Sequence, residues 1–421
     1  MQVFKFGGAS VNSAAAVRNM ANIVKAHAGE GLVVVVSAMG KTTNALERVI
    51  PGIGKSEEER TKVFNELKQY HWEIADELFE DKGHEVFKKL NEWFERLELQ
   101  IGSEATSYNY DYDQTVSFGE LISTTIVNEY LQQIGLESQW VDVRSIIRTD
   151  ANYREGHVDW TATEYNAKER LMPLCGKGIV VTQGFIAGTH NRTTTTLGRE
   201  GSDYSAAILS YCLGAQEMTI WKDVPGFLNA DPKYFKNTIK VSEIPYNEAI
   251  ELAYYGASVI HPKTVQPIQN KGIRLHIRSF LDWEESGSVV GPFEKIEPQT
   301  PLYIVKHNQV LISIHSRDFS FIAEDKLQTI FAILASLNIR VNLMQNTALS
   351  FSICIDHNET LLAQLRERLS KEFHVRYNTD LQLITIRYYT QEIIDQMVEG
   401  RPVLLQQRTR VTTQLLTAAK K

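Results

Sequence analysis

A chain of 421 residues is too long for one ordinary core and implies two or three domains. With 43% hydrophobic and 23% charged residues it has the make-up of a soluble globular protein, and its formal net charge of -7 disfavours a nucleic-acid partner. No apolar run approaches the roughly 20 residues needed to cross a bilayer and no leader-like succession opens the chain, so a cytoplasmic protein without a membrane partner is expected.

Strand-length apolar runs fall at 3–6, 32–37, 139–144, 178–183, 217–222 and 274–278. Several, such as Leu32-Val33-Val34-Val35-Val36, are apolar on both faces, as buried parallel strands are when helices cover both sides of their sheet. Alternating strands and helices therefore predict a three-layer α/β sandwich with a mainly parallel sheet.

The first strand ends in Lys5-Phe6-Gly7-Gly8-Ala9-Ser10. Consecutive glycines after a strand let backbone N–H groups approach an anion, and Lys5 adds a full charge for a phosphate, although such a turn can equally be structural. The second strand runs into Ser37-Ala38-Met39-Gly40-Lys41-Thr42-Thr43-Asn44, a small hydroxyl-rich loop at the sheet edge where open α/β folds bind ligands, or else a helix cap.

Between 55 and 100 the pattern turns helical: Phe64, Leu67, His71, Ile74 and Leu78 step by three and four, as do Phe87, Leu90, Phe94 and Leu97. This predicts a charged helical insertion with His71 as a core or edge histidine rather than a ligand.

After the strand at 178–183 comes Thr193-Thr194-Thr195-Thr196-Leu197-Gly198-Arg199-Glu200-Gly201-Ser202-Asp203. Arg199 can hold a carboxylate by two parallel N–H bonds, and Asp203 can either bind magnesium or orient a lysine. Trp221-Lys222-Asp223-Val224-Pro225-Gly226 follows the next strand, though Pro-Gly and Asp-Pro also occur in plain turns. Loops of this kind after parallel strands suit phosphoryl transfer, which needs positioning and cations more than covalent chemistry. Cys175, Cys212 and Cys354 are far apart and form neither a disulfide framework nor a zinc spacing, so they are expected to be core thiols.

Glycines and prolines gather at 286–301, which reads as a linker, and all glycines but Gly400 precede residue 300. Beyond it the pattern predicts small βαββ units. Strands fall at 310–315, 341–344 and 350–356 and helices at 327–337 and 361–373. A further strand starts at 381–389, a helix at 393–398 follows, and two more strands are possible at 403–407 and 412–416. The succession suggests an internal duplication.

Taken together, KFGGAS (5–10), VVSAMGKTTN (35–44), SFGE (117–120), WVDVR (140–144), TQGFI (182–186), TTTLGREGSDYSA (194–206), DVPGF with ADP (223–232) and GASVIHP (256–262) resemble the amino acid kinase family, and within it the aspartate kinases. The resemblance implies a catalytic domain over 1–290 with the amino acid kinase fold. Two α+β ferredoxin-like ACT domains would follow, at 300–378 and, shorter, at 379–421. It implies ATP and Mg2+ as cofactors, L-aspartate as phosphoryl acceptor, an amino-acid effector at the ACT domains, and a homodimer. By position, Lys5, Phe6, Gly7 and Gly8 would meet the ATP phosphates, and Lys5 and Asp203 would be catalytic, with Asp203 near the magnesium. Ser37, Thr43, Glu120, Phe185, Arg199 and Ser202 would line the aspartate pocket, Arg199 holding the α-carboxylate and Glu120 the ammonium. Lys222, Asp223, Leu228, Lys233, Ser258 and Val259 would line the nucleotide site.

Several positions depart from that pattern. The expected lysine of the 256–262 stretch is Ser258, the expected threonine before Asp223 is Lys222, and a glycine after Arg199 is Glu200. Lys222 or Lys263 can restore the missing charge. In the C-terminal part, Asn342 stands where lysine-sensitive relatives carry an aspartate. Two other readings remain: an amino-acid sensor built on a decayed kinase domain, and a kinase for another small acid or a nucleotide.

Overall fold

Five consecutive apolar residues cannot all face one layer. In the computed structural model Leu32–Val36 is an inner strand of an eight-stranded sheet with every side chain buried. The structure describes residues 1–29, 31–52, 56–257, 259–318 and 320–419. The chain divides into two compact units. One comprises Met1–Leu228, Lys240–Ala253 and Ser258–Pro298, the other Asn229–Ile239, Tyr254–Ala257 and Gln299–Lys421.

In the first unit the sheet strands are β1 (Gln2–Phe6), β2 (Leu32–Val36), β3 (Ser138–Val141), β4 (Ile179–Gln183), β5 (Glu217–Lys222), β6 (Glu243–Pro245), β7 (Arg274–Ser279) and β8 (Ser288–Gly291). They lie in the order β6-β8-β7-β5-β1-β2-β4-β3. From β7 to β3 all neighbours are parallel; β8 runs antiparallel to β7. Side chains alternate between the faces. Phe4, Phe6, Val34 and Val36 share a core with α1 (Ala14–Ala26), α2 (Glu57–Leu78), α3 (Glu85–Ile101) and α4 (Tyr108–Gln133). The intervening Val3, Val33 and Val35 face the other way, on the side of α5 (Gly201–Leu213), and are equally inaccessible. The expected three layers follow.

Two details differ from the sequence reading. The strand expected over 139–144 stops at Val141, because the Asp142 side chain accepts from the Arg144 N–H and turns the chain into a 3-10 helix. The stretch read as a linker contains β8, whose two valines are masked in the sequence by the surrounding glycines and prolines. The cysteines are free and buried as expected; burial pushes the Cys175 thiol up to about 11 and Cys212 and Cys354 to about 12.

The second unit is one antiparallel sheet of β9 (Leu302–Ser316), β10 (Val341–Asn346), β11 (Ser350–Asp356), β12 (Phe373–Arg387), β13 (Val403–Arg408) and β14 (Thr412–Ala418), in the order β10-β11-β9-β12-β14-β13. Its helices α6 (Glu324–Ser336) and α7 (Glu359–Leu369) bury Ile330, Leu334, Leu362 and Leu365 with Val310, Ile312 and Ile314 of β9. The helix expected to reach 373 ends at Leu369, and Phe373 opens β12, a 15-residue strand that runs through residue 378 without a break. The first half of β9 pairs with Leu383–Arg387, the second with Phe373–Asn378.

Across β9, β10 and β11, Asn342 accepts from Lys306 Nζ at 2.9 Å and donates to Gln309 Oε1 at 2.9 Å and Asp356 Oδ1 at 3.0 Å. An aspartate at 342 would face Asp356 without a proton between them. Asn342→Asp is expected to lower stability at pH 8 by about 1–2 kcal/mol. Protonating either carboxyl restores a donor between them, so the deficit is expected to shrink as the pH falls towards about 4. Thermal unfolding at both pH values checks the sign.

Candidate active site

Parallel pairing places the ends of β4, β2, β1 and β5 side by side, with Gln183 opposite Val36, Val36 opposite Phe6 and Phe6 opposite Trp221. Chain order reverses direction across the sheet at β1, the position where open α/β sheets form a ligand crevice. Lys5, Gly7, Ser37, Gly184 and Lys222 therefore belong to one edge.

The centre of that edge is Asp203, in the first turn of α5 and fully buried. Lys5 Nζ lies 2.7 Å from its Oδ1 and Lys222 Nζ 3.4 Å from its Oδ2. Burial alone would raise this carboxyl, but the two ammonium charges outweigh it and hold the group below its ordinary value. Lys222 also donates to the Val259 carbonyl at 2.6 Å. Lys263 instead faces Glu155 at 3.9 Å.

Around this cluster the loops interlock. Gly40 N–H donates to the Gly8 carbonyl at 3.0 Å, and a Cβ on Gly8 would come within 2.7 Å of the Ala38 carbonyl and 2.9 Å of the Gly40 carbonyl. Only glycine lets the two loops approach so closely. A Cβ on Gly7 would stand 3.3 Å from the Lys5 ammonium, so that charge lies directly over the turn.

On the other side α4 presents Glu120. A side chain at Gly119 would sit 2.9 Å from Ala38 Cβ, and this close approach lets Glu120 Oε1 accept from the Ala38 N–H at 3.2 Å. Glu120 Oε2 is buried without a partner, and burial pushes this carboxyl up to about 8. Seven residues earlier, on the same helix face, Asp113 accepts from Arg154 N–H at 2.8 Å, Thr196 N–H at 3.0 Å and Thr196 Oγ1 at 2.7 Å. Gln114 grips Thr194 by its N–H and carbonyl. This clamp holds the short strand Thr194–Thr196 just before the Arg199 turn, and sequence reasoning missed it. Its only sequence signal is a carboxylate two helical turns ahead of Glu120.

Of the other expected residues, Phe185 takes a left-handed φ of 67° and donates its N–H to Ser205 Oγ. Ser37, Thr43 and Ser202 are half-buried at the loop ends, and Arg199 is exposed with no described ion-pair partner. Phe6 turns its ring into the core, stacked 6.1 Å from Trp221. Asp223 is exposed after β5, and Leu228 is half-buried in the two-residue strand Phe227–Leu228. Lys233 belongs to the second unit, and Ser258 lies outside the described residues. His71 is a core histidine: it bonds the Leu67 carbonyl through Nδ1 and the Thr42 hydroxyl through Nε2, and burial lowers it to about 4.

Asp203 does not fit as a magnesium ligand. Both oxygens face ammonium groups, and among the described residues no three His, Cys, Asp or Glu side chains cluster as a metal would require.

A crevice lined by two ammonium groups at the switch point of such a sheet defines a phosphate-handling α/β enzyme. The model of the amino acid kinase family matches residues 1–279, and the chain belongs to that family. Over 396 residues it is 33% identical to lysine-sensitive aspartokinase 3 of Escherichia coli, covering 91% of this chain and 86% of that one. It is 31% identical over 369 residues to chloroplastic aspartokinase 1 of Arabidopsis thaliana, covering 84% and 63%. The crystal structure of E. coli aspartokinase III in complex with aspartate and ADP aligns with a TM-score of 0.84 at 28% identity, over 99% of this chain and 96% of that one. The same enzyme in complex with lysine and aspartate aligns at 0.83 with 29% identity, over 99% and 95%.

The Asp113 clamp is testable without any substrate. Asp113→Ala leaves three donors unanswered and is expected to lower stability by about 2–3 kcal/mol and to speed amide exchange across 194–200. Asp113→Asn, which still offers one carbonyl oxygen to both N–H groups, should recover most of the loss. Denaturant unfolding and hydrogen exchange measure both effects.

Proposed function

We infer that this chain is an aspartate kinase: it transfers the γ-phosphoryl group of ATP to the β-carboxylate of L-aspartate, giving 4-phospho-L-aspartate and ADP. The observation that carries this is the pairing of a buried two-lysine, one-carboxylate cluster with the buried Glu120, whose Oε1 holds the Ala38 amide of the neighbouring loop and whose Oε2 has no described partner. The intact cluster speaks against a decayed kinase domain.

In this reading an oxygen of the ionised β-carboxylate attacks the γ-phosphorus, the bond to the β–γ bridging oxygen breaks, and ADP leaves. No proton has to be removed from the acceptor. Lys5 and the Gly7–Gly8 amides hold the phosphate oxygens as charge develops, while Asp203 keeps Lys5 aimed at them. Arg199 takes the α-carboxylate, and Ser37, Thr43, Phe185 and Ser202 shape the acceptor pocket. Glu120 receives the ammonium, which supplies the partner its free oxygen lacks. Asp223, Leu228 and Val259 flank the nucleotide. Magnesium would accompany ATP and add positive charge at the phosphates, while Asp203 stays committed to Lys5 and Lys222.

The second unit is read as two ACT-type halves sharing one sheet, which bind an amino-acid effector and pair with a second copy of the chain. Its exposed Phe321, Met344 and Leu349 suit such pairing. The reaction is assigned to the cytoplasm; no described helix is long and apolar enough to cross a membrane.

Coupled turnover with ATP and L-aspartate tests the reading; absence of turnover with aspartate, but turnover with another acid, overturns it. Arg199→Ala is expected to raise the aspartate KM at least tenfold with little change in the ATP KM. Lys5→Ala is expected to lower kcat at least a hundredfold.

Glu120 adds a pH signature. The ammonium binds the ionised form, and the free group is raised to about 8. Aspartate binding is therefore expected to release a proton below pH 8. The aspartate KM should fall as the pH rises from 6 to 8 and then level off. Calorimetry in two buffers of different ionisation enthalpy reads the proton directly.

A further inference from the structure

Asp203 carries one negative charge and touches two positive ones. To neutralise a buried carboxylate, one lysine is enough. The second leaves a net positive charge among side chains that are 8% (Lys5), 18% (Lys222) and 0% (Asp203) exposed. Such an excess opposes folding unless an anion arrives to balance it, because a charge removed from water without a counter-charge is unfavourable. The excess is thus a property of a binding site rather than of the core.

The geometry also says which lysine is free to meet the anion. The Lys5 ammonium lies over Gly7, at the floor of the crevice, and is the more enclosed of the two. Lys222 is the last residue of β5. Of its three N–H donors, one goes to the Val259 carbonyl at 2.6 Å and one points towards Asp203. The third has no described acceptor, and this side chain is the more exposed one. Because β1 and β5 are adjacent and parallel, both ammoniums rise from the same edge, held at fixed span by one carboxylate.

We propose that Lys222 is a second catalytic cation, sharing Asp203 with Lys5 and donating its remaining N–H to the phosphoryl group in transfer. The chain has serine at 258, where its resemblance to the family leads one to expect a lysine, and Lys222 supplies a positive charge from β5 instead. Lys263, the other candidate for that charge, is 45% exposed and is turned to Glu155. The inference rests on the kinase reading above and assigns one more residue to its phosphoryl path.

The test is Lys222→Met, which keeps the length of the side chain and removes the charge. Its kcat is expected to fall at least a hundredfold while the aspartate KM stays within threefold. The midpoint of thermal unfolding without ligand should be unchanged or higher, since an unbalanced charge has gone. Lys222→Arg should recover at least tenfold of the lost kcat. A folded Met variant that keeps kcat within threefold of the original overturns the proposal. So does one that loses activity only in step with its thermal midpoint.

Tripolyphosphate binding by calorimetry separates this proposal from the choice of acceptor. The original chain should bind it at least tenfold more tightly than Lys222→Met, even if L-aspartate proves not to be the substrate. Equal affinities overturn the role of Lys222 whatever the acceptor is. If the Met variant does not fold, the Arg variant decides by the same two readouts: loss of both kcat and tripolyphosphate affinity to below a thousandth of the original sinks the role of the charge.

Discussion

A carboxylate sealed from water between two ammonium groups is the interaction on which the first unit depends. Asp203 is inaccessible, and without Lys5 and Lys222 its charge would have no answer in the protein. Holding three ionised groups together requires rigid supports on every side. The fold supplies them as the ends of two adjacent parallel strands and the first turn of α5. Lone charges at a sheet edge would be solvated and mobile; here they are desolvated and aimed, which strengthens any interaction with a phosphate.

Everything around the cluster trades side-chain volume for proximity. Gly8 lets two loops meet backbone to backbone, and Gly119 lets α4 come close enough for Glu120 to reach the Ala38 amide. The same helix uses Asp113 and Gln114 to hold the strand before Arg199. One helix therefore carries a buried carboxylate with an open acceptor oxygen and anchors the strand that leads to Arg199. The proposed acceptor, an α-amino acid, presents an ammonium and a carboxylate a few ångströms apart, so a shared scaffold is a direct way to fix the spacing of their partners.

The second unit solves a different problem. Two long strands, β9 and β12, pair along their whole length, with a register shift near Lys306–Leu311. Each long strand thus serves two local cores, one under α6 and α7 and one around Ile384, Ile386, Ile394 and Leu415. Near the shift, Gln309, Asn342 and Asp356 exchange hydrogen bonds, so the amide of Asn342 is committed to its neighbours. An ammonium-binding carboxylate at that position would have to coexist with Asp356.

Much of this was legible in the chain itself. Apolar runs with both faces buried located six strands of the main sheet to within a few residues, since period and composition are local properties. The small, hydroxyl-rich and glycine-rich loops marked the carboxyl edge of the sheet for the same reason: they follow directly from the strands that position them. β8 was hidden because its pairing with β6 and β7, not its composition, makes it a strand. The start of β12 was hidden because residues 374–380 are mostly polar and take their extended form beside β9. What the sequence determined was the set of groups available: two lysines, an aspartate, a glutamate and an arginine. Which of these meet was decided by tertiary structure alone. Lys222 and Asp203 lie 19 positions apart, and only the sheet order that sets β5 beside β1 brings the second ammonium to a carboxylate Lys5 already occupies. Electrostatic contact depends on distance in space, and no local pattern encodes it.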